Sequence, residues 1–426
     1  MAKHAVPQIV VLGANFAGLT TARFIQERVK ENAQITLIDR KSYLLFIPNI
    51  PLNVFENNNP ADSLHMQFAK TLIDHGIEFI QAEVEEIDLE KKQVTYCPNE
   101  RPGDAREKIT YDYLIIALGA QLAYDQIEGF GQYGFTVSDT YYGNRLREYL
   151  FQGGYKGGPV TIGSARFHQG TRGKPDWLPI TLAACEGPVL EVSLSMATWL
   201  KERDMGGPDK ITMFTPGEVI AEDAGTEIVQ EFLDMASKMG FQYVNQTEDI
   251  QSINADGVQF TNGKSLESEL TIVMPDWVPH KLLKDLPFSD EVGFVVTDEL
   301  MHAIGHPEVF AVGDAAALTV PKLGSLGHLE AEIVSKQIAK ELGLISAEES
   351  DDPYRPFIIC FGDMGDHKGF YIHSNTWFGG KTSVFKMGYI FYAMKIAFKE
   401  MYFQTGGAPP SWGIPLTEIV SDRLVP

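Results

Sequence analysis

The stretch from Gln8 to Asp39 restricts the folds open to this chain more than any other. Gln8-Ile9-Val10-Val11-Leu12 reads as a buried strand, Gly13-Ala14-Asn15-Phe16-Ala17-Gly18 as a tight turn, residues 19–30 as a helix, and Ile35–Asp39 as a second strand ending in an acid. Strand, glycine turn, helix and strand in that order open a Rossmann unit. Gly13 allows the turn and Gly18 the close packing of helix on strand, which brings the helix N-terminus against a pyrophosphate. Asn15 occupies the middle glycine position, and asparagine tolerates a left-handed backbone better than most residues. Asp39 follows Gly18 by 21 residues, where it can accept from ribose hydroxyls. A dinucleotide site on a parallel α/β sheet is implied.

With 426 residues the chain has room for two or three domains, and 44% hydrophobic content supplies their cores. The formal charge of -22 argues against nucleic acid, whose phosphates a field of that sign repels. Three cysteines are too few for a disulfide-stabilised scaffold and lack zinc-type pairing, so no metal is expected. No apolar stretch of about 20 residues spans a bilayer. Met1–Gln8 lacks a secretory layout. The expectation is an intracellular protein, soluble or attached to one face of a membrane, the cytoplasmic side.

Further along, the pattern predicts a helix around 63–75, a strand at 77–80, a hairpin at 83–97 and a buried strand from Tyr113 to Ala120. A second α/β segment has strands Pro159–Gly163, Lys210–Thr215 and Glu269–Met274, with helices near 186–203 and 223–239. Glu308–Asp314 returns to the style of the first segment, ahead of a helix near 325–342. The expected division is 1–124 with 291–350 as one Rossmann-like domain, 125–290 as a second, and 351–426 as an aromatic-rich C-terminal segment. Residues 165–178 are polar and read as a surface loop.

Asp314 ends the strand Val312-Gly313-Asp314, where ligands of α/β sheets sit. The Gly13–Gly18 turn, the Ile116–Gly119 strand end and Val312–Asp314 resemble the three FAD signatures of the two-dinucleotide-domain flavoproteins over nearly the whole chain. The resemblance implies FAD, with the early acid Asp39 on the adenosine ribose and Asp314 on the ribityl chain. Gly13, Asn15, Ala17, Gly18, Arg40, Pro48, Gly119 and Lys322 complete the candidate cofactor contacts.

Relatives that oxidise NAD(P)H carry a second glycine-rich turn after the first strand of domain two. Here Pro159–Gly163 is followed by Ser164-Ala165-Arg166-Phe167-His168, with no glycine at the phosphate positions, and Ile211–Thr215 ends without an acid. Cys185 instead opens Cys-Glu-Gly-Pro at the head of a predicted helix, where a helix dipole should lower a thiol pKa. Cys360 lies in Ile358-Ile359-Cys360-Phe361-Gly362-Asp363. Both contexts resemble the sulfide:quinone oxidoreductase family, in which two cysteines form a redox bridge beside the flavin. Cys97, in the hairpin, reads as structural. Ser138 stands where many members carry another cysteine, which places the chain with the two-cysteine branch. The segment after Asp39 has no cysteine to tether FAD, and Gly327–Glu332 lacks the quinone motif of type II NADH dehydrogenases.

Lys322, just before the late helix, suits the negative charge of a reduced flavin. Glu191 matches an acid of the family that could move protons. The histidines (168, 280, 302, 306, 328, 367, 373) show no metal spacing. From Lys381 to Phe403, apolar residues at 387, 390, 391, 394, 398 and 401 form a helical stripe, with Lys395 and Lys399 opposite. Such a helix is expected to lie in a membrane interface and meet a lipid-dissolved quinone.

The resemblance implies that hydrosulfide opens a Cys185–Cys360 bridge, leaving a persulfide on one cysteine and a thiolate on the other. Two electrons then pass through FAD to quinone. Expected partners are sulfide, quinone and a membrane surface, with a second copy of the chain kept among the candidates. The alternatives are a type II NADH:quinone oxidoreductase and a flavin-bearing thiol redox sensor.

Overall fold

Ile9, Val10, Val11 and Leu12 are all fully buried, because the strand has parallel neighbours on both edges, Ile9 and Val11 pack with Leu19 and Ala22 of the helix that follows, and Val10 and Leu12 pack with Val84, Val94 and Phe288. Each contributes roughly 1.5–3 kcal/mol by leaving water. The structure, a computed structural model, describes residues 6–100, 106–183, 185–352 and 354–409. The expectations for residues 1–5 and for 410–426 fall outside them.

In chain order the first elements are β1 (Gln8–Leu12), α1 (Phe16–Val29), β2 (Gln34–Asp39), β3 (Glu78–Asp88), β4 (Gln93–Pro98), β5 (Glu107–Thr110) and β6 (Tyr113–Ile116). The middle of the chain forms β7 (Gly134–Phe135), β8 (Val160–Ser164), α2 (Gly187–Glu202), β9 (Ile211–Phe214), α3 (Thr226–Met239), β10 (Gln242–Val244) and β11 (Leu270–Met274). Then come β12 (His302–Ala303), β13 (His306–Ala311) and α4 (Gly324–Glu341), followed by β14 (Ile358–Asp363), β15 (Gly369–Ser374), β16 (Ser383–Gly388) and α5 (Tyr389–Gln404).

Two parallel cores result. One sheet runs β12-β13-β6-β1-β2-β3-β4-β5, parallel from β13 to β3, with Leu12 flanked by Ile38 and Ile116. The other runs β7-β11-β8-β9-β10 and is parallel throughout. Each reverses strand order beside its first strand, and such a switch point leaves a crevice at the strand C-termini. A third, antiparallel sheet, β14-β15-β16, pairs Cys360 with Ile372 and carries α5.

Backbone contact explains the glycine turn. Gly13 sits at φ +100°, and an added Cβ would lie 2.2 Å from the Ala117 carbonyl oxygen. At Gly18 it would lie 1.9 Å from the Gly13 carbonyl oxygen. Asn15 does not take the left-handed backbone expected of it. It caps α1 at φ −90° and ψ −157°, an extended conformation, because the positive φ falls on Gly13.

The structure corrects three other expectations. The helix around 63–75 is broken into Pro60–Ser63 and Ala69–Asp74, because His65–Gln67 pairs as a strand with Tyr43–Leu45 and buries Leu44 against Met66. The strand from Tyr113 stops at Ile116, and Ala117–Gly119 turn away from the sheet, with Gly119 at φ +67°. The C-terminal helix begins at Tyr389 rather than Lys381, since residues 383–388 extend the β14–β15 sheet.

Glu330, fully buried on α4, ties the late strand end to the rest. It accepts from the Gly313 N–H at 2.6 Å, the Thr319 hydroxyl at 2.7 Å and the Tyr354 hydroxyl at 3.0 Å. Burial pushes its pKa up to about 7. Glu330→Ala leaves the buried Gly313 N–H without a partner and should cost about 1–3 kcal/mol. Chemical denaturation checks this, with Tyr354→Phe as the milder comparison.

Candidate active site

The Asp39 carboxylate accepts from the Ala14 N–H and the Lys41 N–H, both at 2.7 Å, which holds it at the lip of the Gly13–Gly18 turn. From there a groove runs across the C-terminal ends of β1 and β6 to Gly313 and Asp314, and opens into a cavity of about 1470 Å³. Gly13, Asn15, Ala17, Gly18, Asp39, Arg40, Pro48, Gly119, Asp314 and Lys322 all line it, as do Cys185, Cys360 and Glu191. Gly13 and Cys360, 347 positions apart in sequence, thus share one space. The volume exceeds that of an ordinary small-molecule pocket.

Several features of the groove suit a dinucleotide. The buried Asn15 side-chain oxygen has no hydrogen-bond partner, and nothing lies within 4 Å of where a Gly119 Cβ would be. No side chain among the described residues donates to the Asp314 carboxyl, whose pKa burial raises while Lys322 opposes. Lys322 donates to the Asp314 and Ala316 carbonyls at 3.0 Å each and lies 4.2 Å from the Phe294 ring centre. Burial lowers its pKa to about 8.

The thiols depart from expectation. Cys185 precedes α2 by two residues, and the Gly187 N–H does favour its thiolate, but desolvation outweighs that contribution. Asp223 and Asp314 act in the same direction as burial, so the Cys185 pKa lies well above the ordinary value rather than below it. Burial pushes Cys360 up to about 12, with Lys395 opposing. A Cβ added at Gly187 would lie 3.3 Å from Cys360 Sγ, so the segment carrying Cys185 abuts the other thiol. The two sulfurs are not bonded to each other. Cys97 lies elsewhere, on β4 opposite Glu83. Ser138 lines the cavity, accepts from the Thr136 hydroxyl at 3.0 Å and lies 3.8 Å from Met274 Sδ.

Lys395, expected on the outer face of its helix beside Lys399, is 2% exposed. Its ammonium donates to Glu191 at 2.8 Å and to the Pro48 and Phe361 carbonyls at 2.9 Å each. Burial pushes the Glu191 carboxyl up and Lys395 pulls it back. Glu191 also accepts from the Asp363 N–H at 3.1 Å, while the Ser195 hydroxyl donates to the Asp363 carboxylate at 2.8 Å. The buried face of α5 is therefore Phe391, Lys395 and Tyr402, and Met394, Phe398 and Met401 of the predicted stripe line the cavity.

The second switch point is built differently from the first. β8 ends at Ser164 and α2 begins only at Gly187, so no helix N-terminus follows the strand to receive a phosphate. Arg166 pairs with Glu248 at 2.7 Å, and His168 bridges Asp276 at 2.7 Å and Asp249 at 3.1 Å. The stretch read as a surface loop is tied down. Phe167 and Leu178 are buried, and Arg172 donates to the Ser289 and Pro287 carbonyls at 2.7 and 3.1 Å.

Lys395, Glu330, Glu186 and Asp223 carry no local signal of their roles, because their partners lie far away in sequence. His328, half-buried in the lining of the groove and bonded to the Tyr402 hydroxyl at 3.0 Å, is likewise visible only in the fold.

Fold and groove together define a two-dinucleotide-domain flavoprotein oxidoreductase with FAD as its cofactor. Residues 7–152 match the family described as pyridine nucleotide-disulphide oxidoreductase. Among such enzymes the chain resembles the sulfide:quinone oxidoreductases. It is 23% identical to a sulfide-quinone reductase of Aquifex aeolicus, over 98% of this chain and 95% of that one. It is 24% identical to a mitochondrial sulfide:quinone oxidoreductase of Dictyostelium discoideum, over 80% and 72%. An NADH dehydrogenase-like protein of Mycobacterium tuberculosis is 26% identical over 73% of each chain. The crystal structure of the Aquifex aeolicus sulfide:quinone oxidoreductase superposes with a TM-score of 0.80, at 21% identity over 97% of this chain and 95% of that one. That of NDH2 from Plasmodium falciparum gives 0.66, at 13% identity over 95% and 99%.

Removing one partner of a buried ion pair strands the other charge, at a cost of about 3–5 kcal/mol. Lys395→Met should lose stability on that scale in chemical denaturation. Adding Glu191→Gln should recover part of the loss, since the two effects belong to one pair.

Proposed function

We propose that this protein oxidises sulfide at Cys185 and Cys360 and passes two electrons by way of FAD to a membrane quinone. One observation carries the reading. The connection between β8 and α2 lacks a phosphate-binding turn and instead delivers Cys185 into the FAD cavity, against Cys360. The sulfide-quinone relatives support it, and the ion-paired Arg166 and His168 at the second switch point disfavour NADH as donor.

In this reading residues 1–124 with 291–350 hold FAD, 125–290 form the second Rossmann-like domain, and 351–426 serve the quinone and membrane side. Gly13, Asn15, Ala17 and Gly18 would hold the pyrophosphate, Asp39 and Arg40 the adenosine end, and Asp314, Gly119 and Pro48 the ribityl and ring end. FAD supplies a two-electron acceptor that a quinone can empty. Hydrosulfide attacks a bridge between the cysteines, one sulfur keeps a persulfide, and the other departs as a thiolate that carries the electron pair of the broken bond. A second nucleophile removes the sulfane sulfur. Lys322 favours the charge gained on reduction, and Glu191 with Lys395 moves protons on the side lined by Phe361, Met394 and Phe398.

No helix among the described residues is long and apolar enough to cross a membrane. Tyr389 and Ile396 of α5 are 63% and 37% exposed, and Met387 at the end of β16 is 37% exposed, so this side of the molecule offers an apolar surface to lipid.

Cys185→Ser and Cys360→Ser should each abolish flavin bleaching by sulfide while leaving FAD content unchanged, and Cys97→Ser should behave as the parent. Stopped-flow absorbance with sulfide and, separately, NADH checks this. Faster bleaching by NADH than by sulfide would count against the reading. Tyr389→Asp with Ile396→Asp should release the protein from liposomes in co-sedimentation yet leave bleaching by sulfide intact, because neither side chain lines the cavity.

A further inference from the structure

The turn at residues 221–225 packs against the segment that carries Cys185, and hydrogen bonds hold it there on either side of the cysteine. The Glu222 carboxylate accepts from the Leu182 N–H at 3.1 Å, and the Ala221 N–H donates to Glu186 at 2.6 Å. Ala221 takes a left-handed φ of +53°, and Gly225 sits at φ +92° with room for a Cβ only 2.0 Å from Thr376 Oγ1. The turn is thus clamped between the cysteine segment and residues 374–376. Asp223, at its centre, is 9% exposed, and no cation pairs with it among the described residues. Its charge acts on both Cys185 and Cys360. Glu186, next to Cys185, is 3% exposed, and its second carboxylate oxygen is buried without a partner.

We propose that Asp223, backed by Glu186, is the acid–base group of the sulfur site and takes the proton of the incoming hydrosulfide at Cys185. This rests on the sulfide reading above. The charges around the two thiols set the direction of the step. Lys395 favours a thiolate on Cys360 against the opposing charges of Glu191 and Asp223, whereas the side chains that act on Cys185 are Asp223, Asp314 and Cys360, none of them a cation. Cys360 is therefore the better leaving group and Cys185 the sulfur attacked. The hydrosulfide sulfur bonds to Cys185 Sγ, the Cys185–Cys360 bond breaks, and its electron pair stays on Cys360. The S–H proton goes to the Asp223 carboxylate. The electron pair then leaves through FAD, with quinone as the final oxidant, and Asp223 returns its proton to solvent by way of Glu186.

Burial pushes Asp223 up to about 7 and Glu186 up to about 8, so both can exchange protons near neutrality. The other ionisable groups at the turn are Glu222, Tyr243, Cys185 and Cys360, while Ser374 and Thr376 contribute hydroxyls.

The test uses FAD-loaded protein carrying Asp223→Asn or Asp223→Glu, with two measurements across pH 6 to about 8.5. One is flavin bleaching by sulfide, and the other is iodoacetamide alkylation of Cys185 in the reduced protein, followed by mass spectrometry. As a base, Asp223 is worth about 100-fold, so Asp223→Asn should slow bleaching on that scale and slow alkylation, while Asp223→Glu recovers most of both. A carboxylate acting only as a negative charge would hold the thiol protonated, and its removal would speed alkylation. Unchanged or faster alkylation in Asp223→Asn overturns the proposal. If that variant loses its fold or flavin, the alkylation profiles of the parent and Asp223→Glu must still differ in their inflection, and identical profiles overturn it. If the parent protein itself is not bleached by sulfide, the sulfide reading fails, and the alkylation comparison still decides the role of Asp223.

Discussion

The Lys395 ammonium joins three parts of the molecule that lie far apart in sequence. It reaches Glu191 on the helix after Cys185, the Phe361 carbonyl next to Cys360, and the Pro48 carbonyl at the edge of the groove. The Lys395 and Glu191 side chains are buried, so their contact replaces water that both charges gave up on folding. Such a pair adds little net stability, but moving any partner leaves a desolvated charge behind. That penalty holds both thiol-bearing segments against the cofactor groove. Asp363 extends the network, since its N–H meets Glu191 and its carboxylate meets Ser195.

A second constraint follows from what β8 does not do. In a dinucleotide site the strand passes at once into a helix whose N-terminus receives phosphate. Here 22 residues separate Ser164 from Gly187, and among them Phe167, Gly170 and Arg172 pack on residues 287–296. The same insertion removes a phosphate cradle and supplies a cysteine. It also places that cysteine beside Asp223 and Asp314 at a partly buried position, which raises its thiol pKa although a helix begins two residues later. A dipole worth a few tenths to 1 kcal/mol does not overcome that desolvation.

Much of the architecture could be read from the chain directly. The Gly13–Gly18 turn, Asp39 and Asp314 are dictated by short-range geometry, in which a glycine or a strand-end acid has few other uses. Periodicity served less well near residues 381–388, where a β-strand runs straight into a helix and both are apolar. It also misjudged Lys395. A lysine opposite an apolar stripe normally faces water, and nothing nearby in sequence reports that Glu191, 204 positions earlier, will meet it.

The sequence alone determined the two parallel α/β cores and the glycine turn and strand-end acids that line the groove between them, because strand burial, glycine turns and strand-end acids act over a few residues. Only the tertiary structure decided that α5 turns a charged side chain inward, that Glu330 anchors the Gly313 turn, and that Asp223 and Glu186 surround Cys185. Those outcomes depend on burial, and burial arises when distant segments exclude water from one another. A thiol's pKa or a lysine's partner is a property of that shared, dry space and not of the residues beside it in the chain.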